Sequence, residues 1–403
     1  MCVMQIIDEN LYYLGCSERR LMLFEGAYPV PSGMSYNSYL LKDGYNVLFD
    51  TVDRHVGEEF LENLHLALAG AELHYLVVHH MEPDHAALID RVMSKYESTR
   101  LLCSNRTCSM LPQFFAKANW LDRVRVVADN EELELGKHKL KFMMAPMVHW
   151  PEVMVTYDEF NHTLFSADAF GSFGALDGDL YLSGSLDKMV QYLPEYRRYY
   201  TNIVGKYGAQ VIKLLQKVSE LEVDRICPLH GRILKEQLSF WIDYYQKWAV
   251  YLPEEKAVMI GYASIYGGTE RVATMLADGL VARGVANVVV YDVAAVHYSY
   301  LVAEAFRVSH IVLASVSYNG GLFDAMRHLL QVLIEHNLSG RRFAMIENGS
   351  WAPSAAKCMQ ELLQRLNGCE LVGPTVSVRS RIDAGQAVAL GQLADNLTKD
   401  FVG

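Results

Sequence analysis

Short apolar runs broken by Gly, Pro and polar turns dominate the first 250 residues. Their spacing and β-branched content predict strands over 35–41, 46–50 and 73–78, and again over 164–168 and 225–230. A long amphipathic stretch over 186–221 reads as helical and precedes the last of these strands. The rhythm changes after the Pro-marked polar break at 251–256, which follows an aromatic-rich helix. Beyond it, strands over 257–263, 288–293, 310–316, 343–347 and 371–378 alternate with helices, of which 269–283 and a last one over 384–400 are clearest. Five strands so spaced predict an open, parallel, doubly wound α/β sheet. The expected division is therefore 1–252 and 253–403, with no internal repeat and no low-complexity tract.

Composition agrees with two packed cores: 403 residues, 51% of them apolar. No apolar run approaches the roughly 18–20 residues that cross a bilayer, so no membrane segment is expected. The first ten residues lack the basic start and apolar centre of an export signal, which makes the cytoplasm the expected location. Cysteines at 2, 16, 103, 108, 227, 358 and 369 are odd in number and scattered, as free thiols would be. No Cys-x-x-Cys pair is present, so neither a zinc ribbon nor a rubredoxin-like iron site is expected within the chain. A formal charge of −11 disfavours a nucleic-acid surface.

Four short clusters carry the candidate chemistry of the first part. The richest is His80-Met81-Glu82-Pro83-Asp84-His85, directly after the apolar run 73–78. If the chain stays extended there, residues 80, 82 and 84 share a side and a turn at Pro83-Asp84 brings in His85. His149, Asp168 and His230 each follow a predicted strand, where loops gather functional groups. Each has a plainer reading: Asp84 can cap a helix, His149 beside Trp150-Pro151 can be a packed turn residue, Asp168 can bond loop backbone, and His230 can close a strand. Together, four imidazoles and three carboxylates suit two metal ions, and this hard nitrogen and oxygen set favours iron over zinc or copper. His79 and Cys227 have the wrong parity to join them.

In the second part, the strand 257–263 runs into Ser264-Ile265-Tyr266-Gly267-Gly268-Thr269 and then a helix. Such a turn exposes unpaired N–H groups at a helix N-terminus and can hold a phosphate, although Thr269 also suits a helix cap. It matches neither the nicotinamide fingerprint nor the Walker pattern. Two further loops follow later strands: Ser315-Val316-Ser317-Tyr318-Asn319-Gly320-Gly321, and Asn348-Gly349-Ser350-Trp351 after Glu347. Tyr318 and Trp351 can pack on a planar ring or be ordinary half-buried aromatics. With three loops in register this part resembles flavodoxin, which implies FMN. Val316-Ser317 departs from the Pro-Thr common in that family.

The ligand order of the first part resembles the metallo-β-lactamase fold, whose hydrolases usually carry His-x-His-x-Asp-His where this chain has Glu82. A lactamase-like αββα sandwich with Glu at that place, followed by a flavodoxin-like domain with a five-stranded sheet, resembles the flavodiiron proteins (A-type flavoproteins) over essentially the whole chain. That resemblance implies an oxidoreductase passing electrons through FMN to a non-haem diiron centre that reduces O2 to water, NO to N2O, or both. It implies that His80, Glu82 and His149 bind the iron nearer the flavin, that Asp84, His85 and His230 bind the other, and that Asp168 bridges them. In some relatives the residue matching His85 turns away and water replaces it. It further implies a head-to-tail homodimer, or a dimer of such dimers. The expected type is the minimal two-domain one, served by a separate rubredoxin-like donor. The alternatives are a dizinc hydrolase with an accessory flavodoxin domain, and an electron-transfer protein with a degenerate metal site.

Overall fold

The computed structural model of the chain describes residues 4–399 and Phe401. It divides into two compact units, Met1–Tyr200 with Ala209–Gln246, and Thr201–Gly208 with Lys247–Gly403.

The first unit contains two seven-stranded sheets. One runs, in spatial order, Gln5–Ile6, Leu11–Tyr13, Tyr39–Leu41, Val47–Phe49, Tyr75–Val78, Arg100–Cys103 and Val124–Val126. The other runs Glu132–Glu134, Lys139–Met144, Met154–Asp158, Thr163–Phe165, Arg225–Cys227, Ile233–Leu234 and Tyr181–Leu182. One core joins them, with Tyr39, Phe49, Val77 and Leu102 from the first meeting Phe142, Met154, Phe165 and Cys227 from the second. Phe49 and Phe165 stack with centroids 3.9 Å apart. Amphipathic helices such as Gly57–Leu68, which buries Phe60, Leu64 and Leu68, complete the αββα sandwich.

Strand direction decides where the site can be. Val47–Phe49, Tyr75–Val78 and Arg100–Cys103 are parallel neighbours, so the loops after Phe49 and Val78 emerge side by side. Thr163–Phe165 and Arg225–Cys227 are parallel too, with Phe165 opposite Cys227, which sets the loops bearing Asp168 and His230 next to each other. Loops at the carboxyl ends of parallel strands converge in this way.

Three expected elements of the first part of the chain differ. The stretch 35–41 is two strands: Met34–Tyr36 pairs with Cys16–Glu18, while Tyr39–Leu41 belongs to the first sheet. The break frees Asn37, whose backbone N–H donates to Leu229 O and whose side chain donates to the Pro228 and Gly231 carbonyls. The helical stretch 186–221 is Leu186–Tyr199, a π turn Tyr200–Val204, a 3-10 turn Gly205–Tyr207 and Gly208–Val218. Gly205, a poor helix former, opens the 3-10 turn and Gly208, another, follows it. The first ligand cluster is not an extended strand: pairing stops at Val78, and Pro83–Ala86 forms one helical turn. Proline is suited to a first helical position because it has no N–H to lose. Glu82 occupies the cap position without a side-chain bond, and Asp84 lies inside the turn rather than capping it.

The second unit is a parallel sheet in the order Val288–Asp292, Glu255–Ala263, Val308–Tyr318, Arg342–Asn348, then a split last strand. This is the 2-1-3-4-5 order of flavodoxin-like sheets. Helices Gly268–Val281 and Ala384–Thr398 cover one face and Tyr298–Arg307, Asp324–Glu335 and Ala355–Leu363 the other. The expected strand 371–378 is instead Glu370–Leu371 and Val376–Val378, interrupted where Gly373 takes φ 68° ahead of Pro374. No described helix is long and apolar enough to cross a membrane.

Candidate functional site

All seven ligand candidates converge in the first unit. His80, Glu82, His149 and Asp168 form one group, and Asp84, His85 and His230 another, each with its donor atoms within 4.8 Å of one another. In the first group, His80 Nε2 lies 3.1 Å from Glu82 Oε2 and 3.2 Å from Asp168 Oδ2. His149 Nε2 lies 3.1 and 3.3 Å from the same two oxygens. In the second group, His85 Nε2 is 3.0 Å from His230 Nε2, and both are 3.2–3.3 Å from Asp84 Oδ2. Asp168 Oδ1 faces this group, 3.3 Å from His85 and 3.6 Å from His230. One carboxylate thus offers one oxygen to each group.

The surrounding chain determines these directions. His80 Nδ1 meets Glu152 Oε1 at 2.7 Å, and His230 Nδ1 meets the Ser35 carbonyl at 2.7 Å, which leaves both Nε2 atoms aimed inward. Gly231 takes φ 81°, and a Cβ there would sit 2.3 Å from Ser172 Oγ. Its N–H donates to Ser35 Oγ, so the turn after His230 needs glycine. Thr51 donates to the His85 carbonyl from both its backbone N–H and its hydroxyl. Ala167 and Phe170 both have positive φ on either side of Asp168, as does Met147 near His149. Strain of this kind gathers at functional sites.

Burial is nearly complete: His80, His85, His230 and Asp168 are at most 1% exposed. The Glu82, Asp84 and His149 side chains retain 15%, 11% and 11%, which marks the side nearest to solvent. Burial opposes the charge on Glu82, but hydrogen bonds from His149 and His80 hold its carboxyl down at about 2. Burial likewise works against Asp168, whose carboxyl is held well below the usual range by His149, His85 and His80. The His85 and His149 imidazoles are raised to about 9, against burial, chiefly by Asp84 for the first and by Asp168 and Glu82 for the second.

Both oxygens of Asp84 and Oδ1 of Asp168 are buried without a hydrogen bond. Converging lone pairs in a dry site need a cation. Donor separations near 3 Å are those across one edge of a coordination shell with bonds of ~2.1 Å. The residues fit a pair of metal ions, and three carboxylates with four imidazoles and no thiolate suit iron.

In the second unit, a cavity of about 1560 Å³ is lined by the three expected loops: Ser264 through Thr269, Val316 through Gly320, and Asn348 through Trp351. Of the residues named from sequence, Ser315 and Gly321 do not line it. Ser315 is fully buried within the strand Val308–Tyr318, and Gly321 pairs back onto Tyr318 in a two-residue hairpin. Thr269 is not the helix cap: Gly267, at φ 80°, holds that position. Ser317 Oγ accepts the Ser354 and Ala355 N–H groups, so it also caps a helix. Tyr318 and Trp351 are 44% and 88% exposed at the cavity, available to a planar ring.

Sequence reasoning missed four contributors. Ser380, Arg381 and Ile382 form a fourth lining loop. Asn348 clamps it, with Nδ2 donating to Ser380 O and Oδ1 accepting the Ser380 N–H. Its place after the last strand of a parallel sheet was the available signal. Arg271 joins the lining one turn into the helix. Glu152, three residues after His149, had no signal beyond that proximity. Glu25 had none: it occupies the tip of a hairpin between Leu23–Phe24 and Tyr28–Pro29. The Phe24 ring packs edge-on against His230 at 5.2 Å. Desolvation at the tip, then the charge of Glu82, pushes the Glu25 carboxyl upward, although the residue as a whole is exposed to solvent.

Residues 34–231 match the family model described as the ODP family beta lactamase. Over 98% of both chains, the fold superposes on a variant of the flavo di-iron protein of Thermotoga maritima with TM-score 0.89 and 26% identity. The chain belongs to the flavodiiron protein family. An uncharacterised protein of Methanocaldococcus jannaschii is 30% identical over 80% of each chain. The anaerobic nitric oxide reductase flavorubredoxin of Aeromonas hydrophila is 28% identical, covering 89% of this chain and 72% of that one. This flavodiiron protein is accordingly an oxidoreductase whose cofactors are FMN and a diiron centre, and a hydrolytic dizinc enzyme is the less apt description of its donor set.

Proposed function

We propose that this flavodiiron protein takes electrons from a separate rubredoxin-like donor through FMN and uses them to reduce O2 to water, NO to N2O, or both. His80, Glu82 and His149 would hold one iron, Asp84, His85 and His230 would hold the other, and Asp168 would offer one oxygen to each. The observation that carries the reading is the split reach of Asp168, with Oδ2 3.2 and 3.3 Å from His80 and His149, and Oδ1 3.3 and 3.6 Å from His85 and His230. When bound, the iron pair supplies two adjacent Lewis acids and stored electrons, and FMN supplies them one at a time.

The chain's own residues do the rest. Buried imidazoles and carboxylates exclude bulk water, and Glu82, Asp84 and His149 mark the side nearest to solvent. Loops 264–269, 316–320, 348–351 and 380–382 line the cavity that would hold the flavin, and the backbone N–H groups at the N-terminus of Gly268–Val281 would suit its phosphate. The working division falls at about residue 252. Six described cysteines are free, as a reducing cytoplasm keeps them. A head-to-tail homodimer, in which the flavin of one copy serves the iron of the other, is the proposed assembly.

Anaerobically purified protein should hold two iron ions and one FMN per chain. It should consume O2 or NO with reduced rubredoxin, and rates measured side by side rank the two gases. Protein that holds two zinc ions, cleaves an ester or amide and consumes neither gas overturns the proposal.

A further inference from the structure

Three of the four imidazoles of the centre, His80, His85 and His230, differ in what lies behind them. His80 Nδ1 faces Glu152 Oε1 at 2.7 Å, and both side chains are 0% exposed. The Met81 N–H donates to the same oxygen at 3.0 Å, and the Ser104 hydroxyl donates to the Glu152 carbonyl at 2.8 Å. Among the described residues no Lys or Arg pairs with Glu152, and its Oε2 is buried without a hydrogen bond. By contrast, His230 Nδ1 meets a neutral carbonyl, and His85 Nδ1 is buried with no hydrogen-bond partner.

An imidazole that donates to a carboxylate is a stronger base, and a more electron-rich ligand, than one donating to a peptide carbonyl. The His80 group therefore carries the charge of Glu82 and, through His80, that of Glu152. The His85 and His230 group carries Asp84 alone, with Asp168 shared. We propose that Glu152 makes the two metal positions unequal: it is a positioning residue that tightens metal binding on the His80 side and favours the more oxidised ion there. This rests on the dinuclear reading above.

Glu152→Gln isolates the charge, because the amide oxygen can still accept from His80 and Met81. Metal-free full-length protein, prepared by chelation, is titrated anaerobically with Co(II) against a competing chelator. In the wild type two binding constants are expected, and the variant should weaken the tighter one roughly 10- to 100-fold while sparing the other. In iron-loaded protein, reductive titration followed by the mixed-valence electron paramagnetic resonance signal should show a narrower gap between the two one-electron steps. Glu152→Asp, which keeps the charge, should recover most of that gap. Unchanged constants, or equal weakening of both, overturn the inference. A wild type that binds fewer than two Co(II) ions sinks the dinuclear reading itself. Should the glutamine variant fail to fold, one equivalent of Co(II) in wild-type crystals decides. Anomalous density on the His80 side supports the inference, and density on the Asp84 side overturns it.

Discussion

Glu82 is the residue that separates this centre from a hydrolase's. Its carboxylate stands 3.1 Å from both His80 and His149, and exchanging it for imidazole removes one of three carboxylates from the set. Glu82→His should therefore lower iron retention roughly 10-fold or more and raise zinc content, with reductase turnover falling to background. Elemental analysis beside gas-consumption rates checks this, and full iron with full activity contradicts it. A second expectation concerns protons. In metal-free protein the His85 and His149 imidazoles, raised to about 9, contribute stability that is complete below ~6.5 and lost as pH climbs to about 9. Glu82, held at about 2, contributes stability above ~4.5 that fades as pH falls toward 2. Metal ions replace those protons. The melting temperatures of metal-loaded and metal-free protein should thus diverge between pH ~6.5 and ~9, and parallel curves across that window contradict the assignment.

Among the elements, the loops carry the function and the strands aim them. Gly268 opens its helix with so little room that a Cβ would sit 2.6 Å from the Ser380 carbonyl and 3.2 Å from Asn348 Nδ2. Gly268→Val should push the fourth loop away and weaken FMN binding roughly 10- to 100-fold, in line with overpacking of about 1–3 kcal/mol. Fluorescence titration with FMN measures the loss, and iron content should stay at two. The small hairpin Leu23–Pro29 is the element no sequence pattern announced. Phe24 and Tyr28 both pack on Phe173, and Arg198 donates to the Pro29 carbonyl, so distant residues hold Glu25 beside the centre. Its strands are two residues each, too short for a period of two to register.

At the scale of the whole molecule, the two cofactor sites use separate residue sets in separate compact units. Chelation of the metal should leave the flavin absorbance intact, and removal of FMN should leave two metal ions bound. Spectra and metal analysis of the two half-stripped forms test this, and loss of both cofactors together contradicts it.

The strand–loop rhythm, the seven residues that converge and three of the loops that line the cavity were legible in the chain because each depends on residue type within a few positions: apolar runs, a Gly-rich turn, His and Asp at strand ends. Local backbone choices were less legible. The 35–41 run divides because Asn37 is needed by 228–231, and the 371–378 run because Gly373 and Pro374 interrupt its pairing. What only the tertiary structure decided is distance and direction. Parallel pairing within each sheet sets the loops of His80, Asp168 and His230, and an antiparallel turn adds His149; this packing, not proximity in sequence, aims the two oxygens of Asp168 at different groups and sets Glu152 behind His80.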